Sequence, residues 1–213
     1  MASKKTIFSI ATVFLFNSLI YSQASKLLSQ KEAEIIKTQI GNISMPIFRA
    51  YEYKDNGGVY NLFLSENQNM VSEQDTLNTA VQAICYLNDH GHYIKKWKIS
   101  DTLDKSPDIQ GNREINIWFW SKYASNSDID KDGLIEPIFI YGTKTIEGYS
   151  KINIIIFYKG KQYSIKAQEC DLDECRTLKR NRNYPQLPEK IKLYLDKLLE
   201  NLRHEQGVIL KNG

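Results

Sequence analysis

The stretch Ser150-Lys-Ile-Asn-Ile-Ile-Ile-Phe-Tyr158 decides the fold of this chain. Read as a strand, it carries apolar side chains on both faces, with Ile152, Ile154 and Ile156 on one and Ile155 and Phe157 on the other. A strand that is apolar on both faces must be covered on both sides. We therefore predict that this strand is central in a sheet.

Neighbouring stretches have the same β character. Lys159-Gly160 turns the chain into a strand over 161–167, and residues 135–142 form another. Asn56-Gly57-Gly58 predicts a hairpin between strands 48–53 and 59–65, because Asn-Gly pairs supply the positive φ of tight hairpin turns. The remaining predicted strands cover residues 79–87, 93–100 and 114–123.

A helix is predicted at each end of this β region. Residues 27–40 have helical apolar spacing, and Ser29 with Glu32 forms a potential capping box. Pro188 opens a second helix that ends near Gly207. Its apolar stripe consists of Ile191, Leu195, Leu198, Leu199 and Leu202. Eight strands with two helices predict a single antiparallel, β-rich α+β domain over residues 25–213, with a basic C-terminal helical segment.

The first 24 residues are typical of a secretory signal peptide. Lys4 and Lys5 precede an apolar run over 7–20, and Ser22 and Ala24 are the small residues of a cleavage site after Ala24. This run is short for a bilayer core about 30 Å thick. We predict a periplasmic or secreted protein without a transmembrane span after cleavage; an uncleaved N-terminal anchor is the alternative.

Composition and charge are those of an ordinary globular domain and do not indicate a nucleic-acid-binding protein. The 213 residues are 42% hydrophobic and 25% charged, which is ordinary for a globular domain. The net charge of +3 includes two lysines of the signal peptide, and the remainder divides into −4 over residues 25–175 and +5 over residues 176–213. This pattern does not predict a nucleic-acid partner.

The most specific motif is Asp128-Ile-Asp-Lys-Asp-Gly-Leu-Ile-Glu136. Carboxylates at its positions 1, 3, 5 and 9, together with one backbone carbonyl, predict a structural calcium site, since Ca²⁺ takes six to eight oxygen ligands. The predicted ligands are Asp128, Asp130, Asp132, Leu134 and Glu136. The alternative is a solvated acidic turn without an ion.

This motif resembles the calcium loops of integrin-α and FG-GAP repeats, which share the Asp-x-Asp-x-Asp-Gly-x-x-acid pattern. An EF-hand would carry a glutamate at position 12, where this chain has Phe139. The resemblance covers nine residues and implies a metal site, with Glu136 standing where such loops usually have aspartate.

A second resemblance covers most of the chain. It rests on the signal peptide, the Asn56-Gly57-Gly58 hairpin, residues 117–120, the acidic loop, residues 140–142 and the Lys159-Gly160 hairpin. In this order they resemble a family of small exported bacterial proteins linked to surface-polysaccharide biosynthesis. The resemblance implies a role in the cell envelope and carries over no catalytic residue.

Three cysteines, Cys85, Cys170 and Cys175, follow the signal peptide. An exported protein meets an oxidising compartment, so a disulfide is expected. Cys170–Cys175 is the local pairing, and Cys85 is then a buried thiol of the core. A bridge from Cys85 to either later cysteine is the alternative.

Aromatic residues define a possible binding surface. Trp118 and Trp120 lie on one face of a predicted strand, with Tyr123 further along. Such a row binds a sugar or a protein if it is exposed, and belongs to the core if it is not.

The chain lacks the Gly-x-Ser-x-Gly, His-Glu-x-x-His and phosphate-loop motifs of common enzymes. We therefore expect a non-enzymatic, calcium-stabilised binding module whose partner is a protein or glycan of the cell envelope. One alternative is a periplasmic immunity-type inhibitor of a toxin. Another is a polysaccharide-active hydrolase with a carboxylate pair near the Asp128–Glu136 loop.

Overall fold

The computed structural model describes residues 24–70, 76–107, 111–170 and 172–210. The predicted signal peptide therefore lies outside the described residues, apart from Ala24. Over the described ranges the chain is an α+β domain with two antiparallel sheets and one helix near each end, which confirms the predicted fold class.

Strands make up most of the described chain. They are β1 (Ala24–Leu27), β2 (Ile47–Asp55), β3 (Gly58–Glu66), β4 (Asn69–Met70), β5 (Thr76–Leu77), β6 (Ala80–Asp89), β7 (His92–Thr102), β8 (Asn116–Phe119), β9 (Ser125–Ser127), β10 (Glu136–Lys144), β11 (Tyr149–Tyr158), β12 (Lys161–Gln168) and β13 (Thr177–Arg180). The α-helices are α1 (Gln30–Ile40) and α2 (Glu189–Gln206), and 3₁₀ turns occupy Ser121–Tyr123 and Tyr184–Gln186.

The strands form two large sheets and one small pair. The first sheet has the order β1-β2-β3-β6-β7, and the second has the order β13-β12-β11-β10-β8, with β9 also paired to β10. Strands β4 and β5 form a separate two-stranded sheet within the described residues. Most neighbours within a sheet are joined by hairpins, so the chain completes the first sheet before it builds the second.

Strand β11 is central in the second sheet, as its sequence predicts. Ile154 lies opposite Ile140 of β10 on one side and Ile165 of β12 on the other. Alternate side chains of β11 enter two different cores, since Ile154 packs with α2 residues whereas Ile155 packs with residues of the first sheet. Each side chain in this part of the strand is therefore removed from water.

The two sheets stack face to face. Trp97 of β7 stacks on Phe157 of β11, with ring centroids 3.8 Å apart and planes 7° from parallel. The inter-sheet layer also contains Leu62, Cys85, Phe119 and Tyr141. Helix α2 covers the outer face of the second sheet, and α1 packs on the outer face of the first. The result is a four-layer α/β/β/α sandwich.

Both helices show the features that the sequence predicts, namely the buried stripe and C-terminal glycine of α2 and the capping box of α1. All five residues of the predicted α2 stripe are buried, and Gly207 ends the helix with a φ of 68°. In α1, Ser29 Oγ accepts a hydrogen bond from the Glu32 amide, and the Glu32 carboxylate accepts one from the Ser29 amide. The predicted start was wrong, because residue 27 belongs to β1 and the helix begins at Gln30.

Two further predictions about the strands need correction. The hairpin turn at Asn56-Gly57 takes its positive φ at the next residue, Gly58, where φ is 131°. The predicted strand over 114–123 is shorter, because β8 ends at Phe119 and the chain bends into a 3₁₀ turn. That bend buries Tyr123, whose hydroxyl bonds to Glu205 and Gln206 of α2.

Candidate metal centre and aromatic cleft

The predicted calcium loop joins β9 to β10. Asp128, Asp130, Asp132 and Glu136 each place a carboxylate oxygen within 4.8 Å of the others. Three of these residues come from the loop itself, and Glu136 is the first residue of β10. The structure therefore brings together every acidic residue of the predicted ligand set into a group that could hold a metal ion.

Backbone amides shape the loop around this point. Asp128 accepts hydrogen bonds from the amides of Asp132 and Gly133, both at 3.1 Å. The Asp132 carboxylate accepts one from the amide of Leu134 at 2.9 Å. Lys131 and Gly133 have φ values of 67° and 92°, so the backbone reverses twice within the loop. Such coiling turns successive carboxylates inward, as the motif predicts.

Glu136 is the buried member of the group. Its side chain is fully buried, and its Oε2 accepts a hydrogen bond from the amide of Ile129 at 2.7 Å. Its Oε1 is also buried and has no hydrogen-bond partner among the described residues. Burial, followed by the charges of Asp130, Asp128 and Asp132, raises the pKa of Glu136 to about 7. A buried acceptor beside three other acids is costly without a cation.

The loop is held by contacts from three other elements. In the β2–β3 turn, Asp55 accepts a hydrogen bond from the amide of Ile135, and the amide of Asn56 donates to the carbonyl of Gly133; both distances are 3.0 Å. A Cβ atom on Gly133 would lie 2.0 Å from Asn56 Nδ2, so glycine allows this close approach.

Two lysines reach the loop from the second sheet and from α2. Lys159 of the β11–β12 turn lies 2.9 Å from Asp132, and this hydrogen bond raises the pKa of the lysine. Lys190 of α2 donates to the carbonyl of Asp130 at 2.9 Å. The loop thus connects the first sheet, the second sheet and α2.

The donor set fits a calcium ion. Carboxylate and carbonyl oxygens are hard ligands of the kind that Ca²⁺ prefers, and the motif contributes no sulfur or nitrogen ligand. The unpartnered buried oxygen of Glu136 is the atom that most needs a cation.

No significant match was found. This holds for comparisons with protein-family models, with curated proteins and with solved structures.

The cysteines lie in two separate places. Cys170 and Cys175 form a disulfide, with Cα atoms 6.1 Å apart, at the end of β12. Cys85 is a buried free thiol of the inter-sheet layer, with its Sγ 3.4 Å from the hydroxyl of Tyr53.

The predicted aromatic platform is largely core. Trp120 and Tyr123 are only 6% and 8% exposed, so these two residues belong to the core, which is the alternative that the sequence left open, and not to a binding surface. Trp118 is half-buried and lies on the same face, with ring centroids 6.2 Å from Trp120 and 6.1 Å from Tyr149. The outer residues of this aromatic group, Trp118 and Tyr149, line a cavity of about 590 Å³.

This cavity, the Trp118 cleft, is lined by residues of both sheets. Its lining includes Phe48, Glu66, Asn78, Asn116, Trp118 and Tyr149. They come from β2, β3, the segment before β6, β8 and β11. Sequence reasoning identified only Trp118, because residues so far apart along the chain share no spacing.

A buried polar network forms part of the cleft wall. Glu66 accepts hydrogen bonds from the amide of Phe119 at 2.8 Å and from Asn78 Nδ2 at 3.0 Å. The amide of Asn78 donates in turn to Asn116 Oδ1 at 2.7 Å. Burial raises the pKa of Glu66, and these donors partly oppose it. The network ties the end of β3 to β8 in the opposite sheet.

A carboxylate pair also occurs in a smaller cavity of about 290 Å³. Lys151 lies 3.0 Å from Glu114 and 3.2 Å from Asp104. Glu114 also accepts hydrogen bonds from Thr143 and from the amide of Asp104. Through these contacts the two carboxylates hold the segment before β8 in place. The pair does not lie at the Asp128–Glu136 loop.

Some positive charges of the basic segment 176–213 are paired with nearby acidic side chains. Arg176 is buried and contacts Asp173, while Arg180 lies 3.4 Å from Asp196 and over the ring of Tyr184. Within the described ranges neither helix combines the length and apolarity needed to cross a membrane.

Proposed function

We propose that residues 128–136 bind a structural calcium ion in an exported, non-enzymatic binding module of the cell envelope. The observation that carries the metal site is the fully buried Glu136, whose Oε1 is unpartnered among the described residues beside three other carboxylates. A divalent cation would neutralise this charge and satisfy that oxygen. Asp128, Asp130, Asp132 and Glu136 would hold it, with the Leu134 carbonyl as a further ligand.

A structural role follows from what the loop touches. The loop contacts the β2–β3 turn of the first sheet through Asn56 and Asp55, and it contacts the second sheet through Lys159. An ion that stiffens the loop would therefore also stiffen the junction of the two sheets. None of these contacts requires an exchangeable substrate.

The role as a binding module is supported by the Trp118 cleft. Among its described lining residues the only carboxylate is Glu66, and both of its oxygens already accept hydrogen bonds. Glycoside hydrolysis normally needs two carboxyl groups across the scissile bond. The cleft therefore favours binding over hydrolysis. Export, and a role linked to surface polysaccharide, rest on the predicted signal peptide and on the family resemblance.

The test of the metal site is thermal unfolding of residues 25–213. With 10 mM Ca²⁺ we expect a melting temperature about 3–10 °C above that in chelator, if the dissociation constant is roughly 10⁻⁴–10⁻³ M. Asp130→Ala removes a ligand and should abolish this difference. The control is Glu200→Ala, which removes an exposed carboxylate of α2 and should keep it. Equal melting of the wild type in calcium and in chelator would refute the site.

A further inference from the structure

We infer that the Trp118 cleft is a binding site for an uncharged oligosaccharide. The inference rests on the proposed role as a binding module and assigns that role a site and a ligand class. It depends on three properties of the cleft, namely its aromatic rings, its fixed polar groups and its balance of charge.

The aromatic rings supply apolar contact. Trp118 and Tyr149 are half-buried and line the cleft together with Phe48 of the opposite sheet. Beneath them lies Trp120, whose ring centroid is 5.1 Å from that of Tyr149. The hydroxyl of Tyr149 donates to Gln206 of α2 at 3.2 Å. The two outer rings are thus supported from below and from the side, so a ligand meets surfaces that are already in place.

The polar groups supply hydrogen bonds in fixed positions. Asn78 and Glu66 are 4% and 6% exposed, and Asn116 holds the backbone of Asn78 at 2.7 Å. A carboxylate oxygen has room for two hydrogen bonds, and each oxygen of Glu66 uses one within the protein. The wall therefore presents acceptor positions whose geometry is set before a ligand arrives.

This combination matches the chemistry of a sugar ring. A pyranose has apolar C–H faces, which pack on aromatic rings, and hydroxyl groups around its edge, which donate to carboxylate and amide oxygens. A purely apolar ligand would leave the second acceptor position of each Glu66 oxygen without a donor.

Charge selects an uncharged ligand. The charged residues among those that line the cleft are Glu66 and Lys144, which have opposite signs. An acidic sugar would meet the buried Glu66, and a cation would meet Lys144. The cavity volume of about 590 Å³ lies within the range of about 300–1,000 Å³ for small-molecule sites. A short segment of a neutral glycan fits these limits.

Titration calorimetry on residues 25–213 in calcium tests this inference. The probes are cellohexaose and chitohexaose, which are uncharged, hexagalacturonate, which is acidic, and choline, which is a cation. We expect saturable binding of at least one uncharged probe at 5 mM or below. Binding of hexagalacturonate or choline in preference to both, or no saturable binding of either uncharged probe, would overturn it.

Variants place the site. Trp118→Leu keeps an apolar side chain but removes the flat ring, and we expect it to weaken binding at least about tenfold. Trp118→Phe restores a ring and should recover part of the affinity. The control Tyr194→Ala removes an aromatic residue of α2 that is 36% exposed and outside the cleft, and it should leave binding unchanged. Unchanged binding in Trp118→Leu would overturn the assignment.

The same samples keep the two proposals apart. If calcium raises the melting temperature but neither uncharged probe binds, the metal site stands and the saccharide site falls. If an uncharged probe binds but calcium has no effect on melting, the saccharide site stands and the metal site falls.

Discussion

Two buried glutamates at opposite ends of the sandwich differ in how far the protein satisfies their carboxylates. Glu136 begins β10 at the acidic loop, and one of its oxygens has no partner among the described residues. Glu66 ends β3 at the Trp118 cleft, and both of its oxygens accept hydrogen bonds. Strand β10 separates the loop from Lys144 of the cleft by nine residues, or about 25 Å. Among the described residues, Glu136 thus retains an unpartnered oxygen, whereas both oxygens of Glu66 are hydrogen-bonded within the protein.

We expect the largest loss of stability when Glu66 is replaced by alanine. Glu66→Ala leaves the amide of Phe119 and Asn78 Nδ2 without an acceptor in the interior, so we expect a loss of about 3 kcal/mol in the free energy of unfolding. Urea unfolding in chelator at pH 7 measures it.

The matched change at the other end is Glu136→Gln. In chelator it removes a buried charge beside three acids, so the free energy of unfolding should be equal to or above that of the wild type. Calcium should no longer stabilise this variant. A large loss of stability in chelator would show that Glu136 is a structural residue like Glu66, and the contrast between the two ends would fail.

A smaller effect depends on pH. Because burial raises the pKa of Glu66, the folded state favours the protonated carboxyl, and stability from this group is lost as pH rises through the folded-state pKa. Asn78 Nδ2 opposes this shift by donating to the carboxylate. Asn78→Ala should therefore cost about 1 kcal/mol more at pH 7.5 than at pH 4.5.

The control for this pH dependence is Asn67→Ala. Asn67 accepts hydrogen bonds from the backbone amides of Thr79 and Ala80, and among the described residues it makes no hydrogen bond to a buried carboxylate. Its cost, measured by urea unfolding, should be the same at both pH values. A pH-independent cost for Asn78→Ala would contradict the role assigned to it.

The smallest expected effect concerns Lys159. Its ammonium pairs with Asp132 and would compete there with a bound cation. Lys159→Ala should therefore tighten calcium binding by about two- to fivefold at low salt, and by less at high salt, because exposed charges are screened. Calorimetric titration at 20 and 300 mM NaCl measures this. Weaker binding in the variant would show that Lys159 supports the loop instead of competing with the ion.

The same contrast explains what could be predicted from the sequence. The acidic loop could be predicted from the sequence because its carboxylates lie within nine consecutive residues. The apolar stripe of α2 and the central position of β11 could be predicted from local periodicity. The Trp118 cleft could not be predicted from the sequence, because Phe48, Glu66 and Tyr149 come together only when the two sheets stack. Trp118 and Trp120 have the same spacing pattern, yet one lines the cleft and the other is covered by Tyr149 and Tyr123.

The rate at which a thiol reagent labels Cys85 measures how often the two sheets move apart. Its thiol comes from β6 and contacts the hydroxyl of Tyr53 from β2, and burial raises its pKa to about 12. With the other two cysteines joined to each other, a thiol reagent finds a target only when the inter-sheet layer opens. The labelling rate of the native protein therefore reports how often its two sheets part, and an ion held in the loop beside the end of β2 and the start of β10 would slow it.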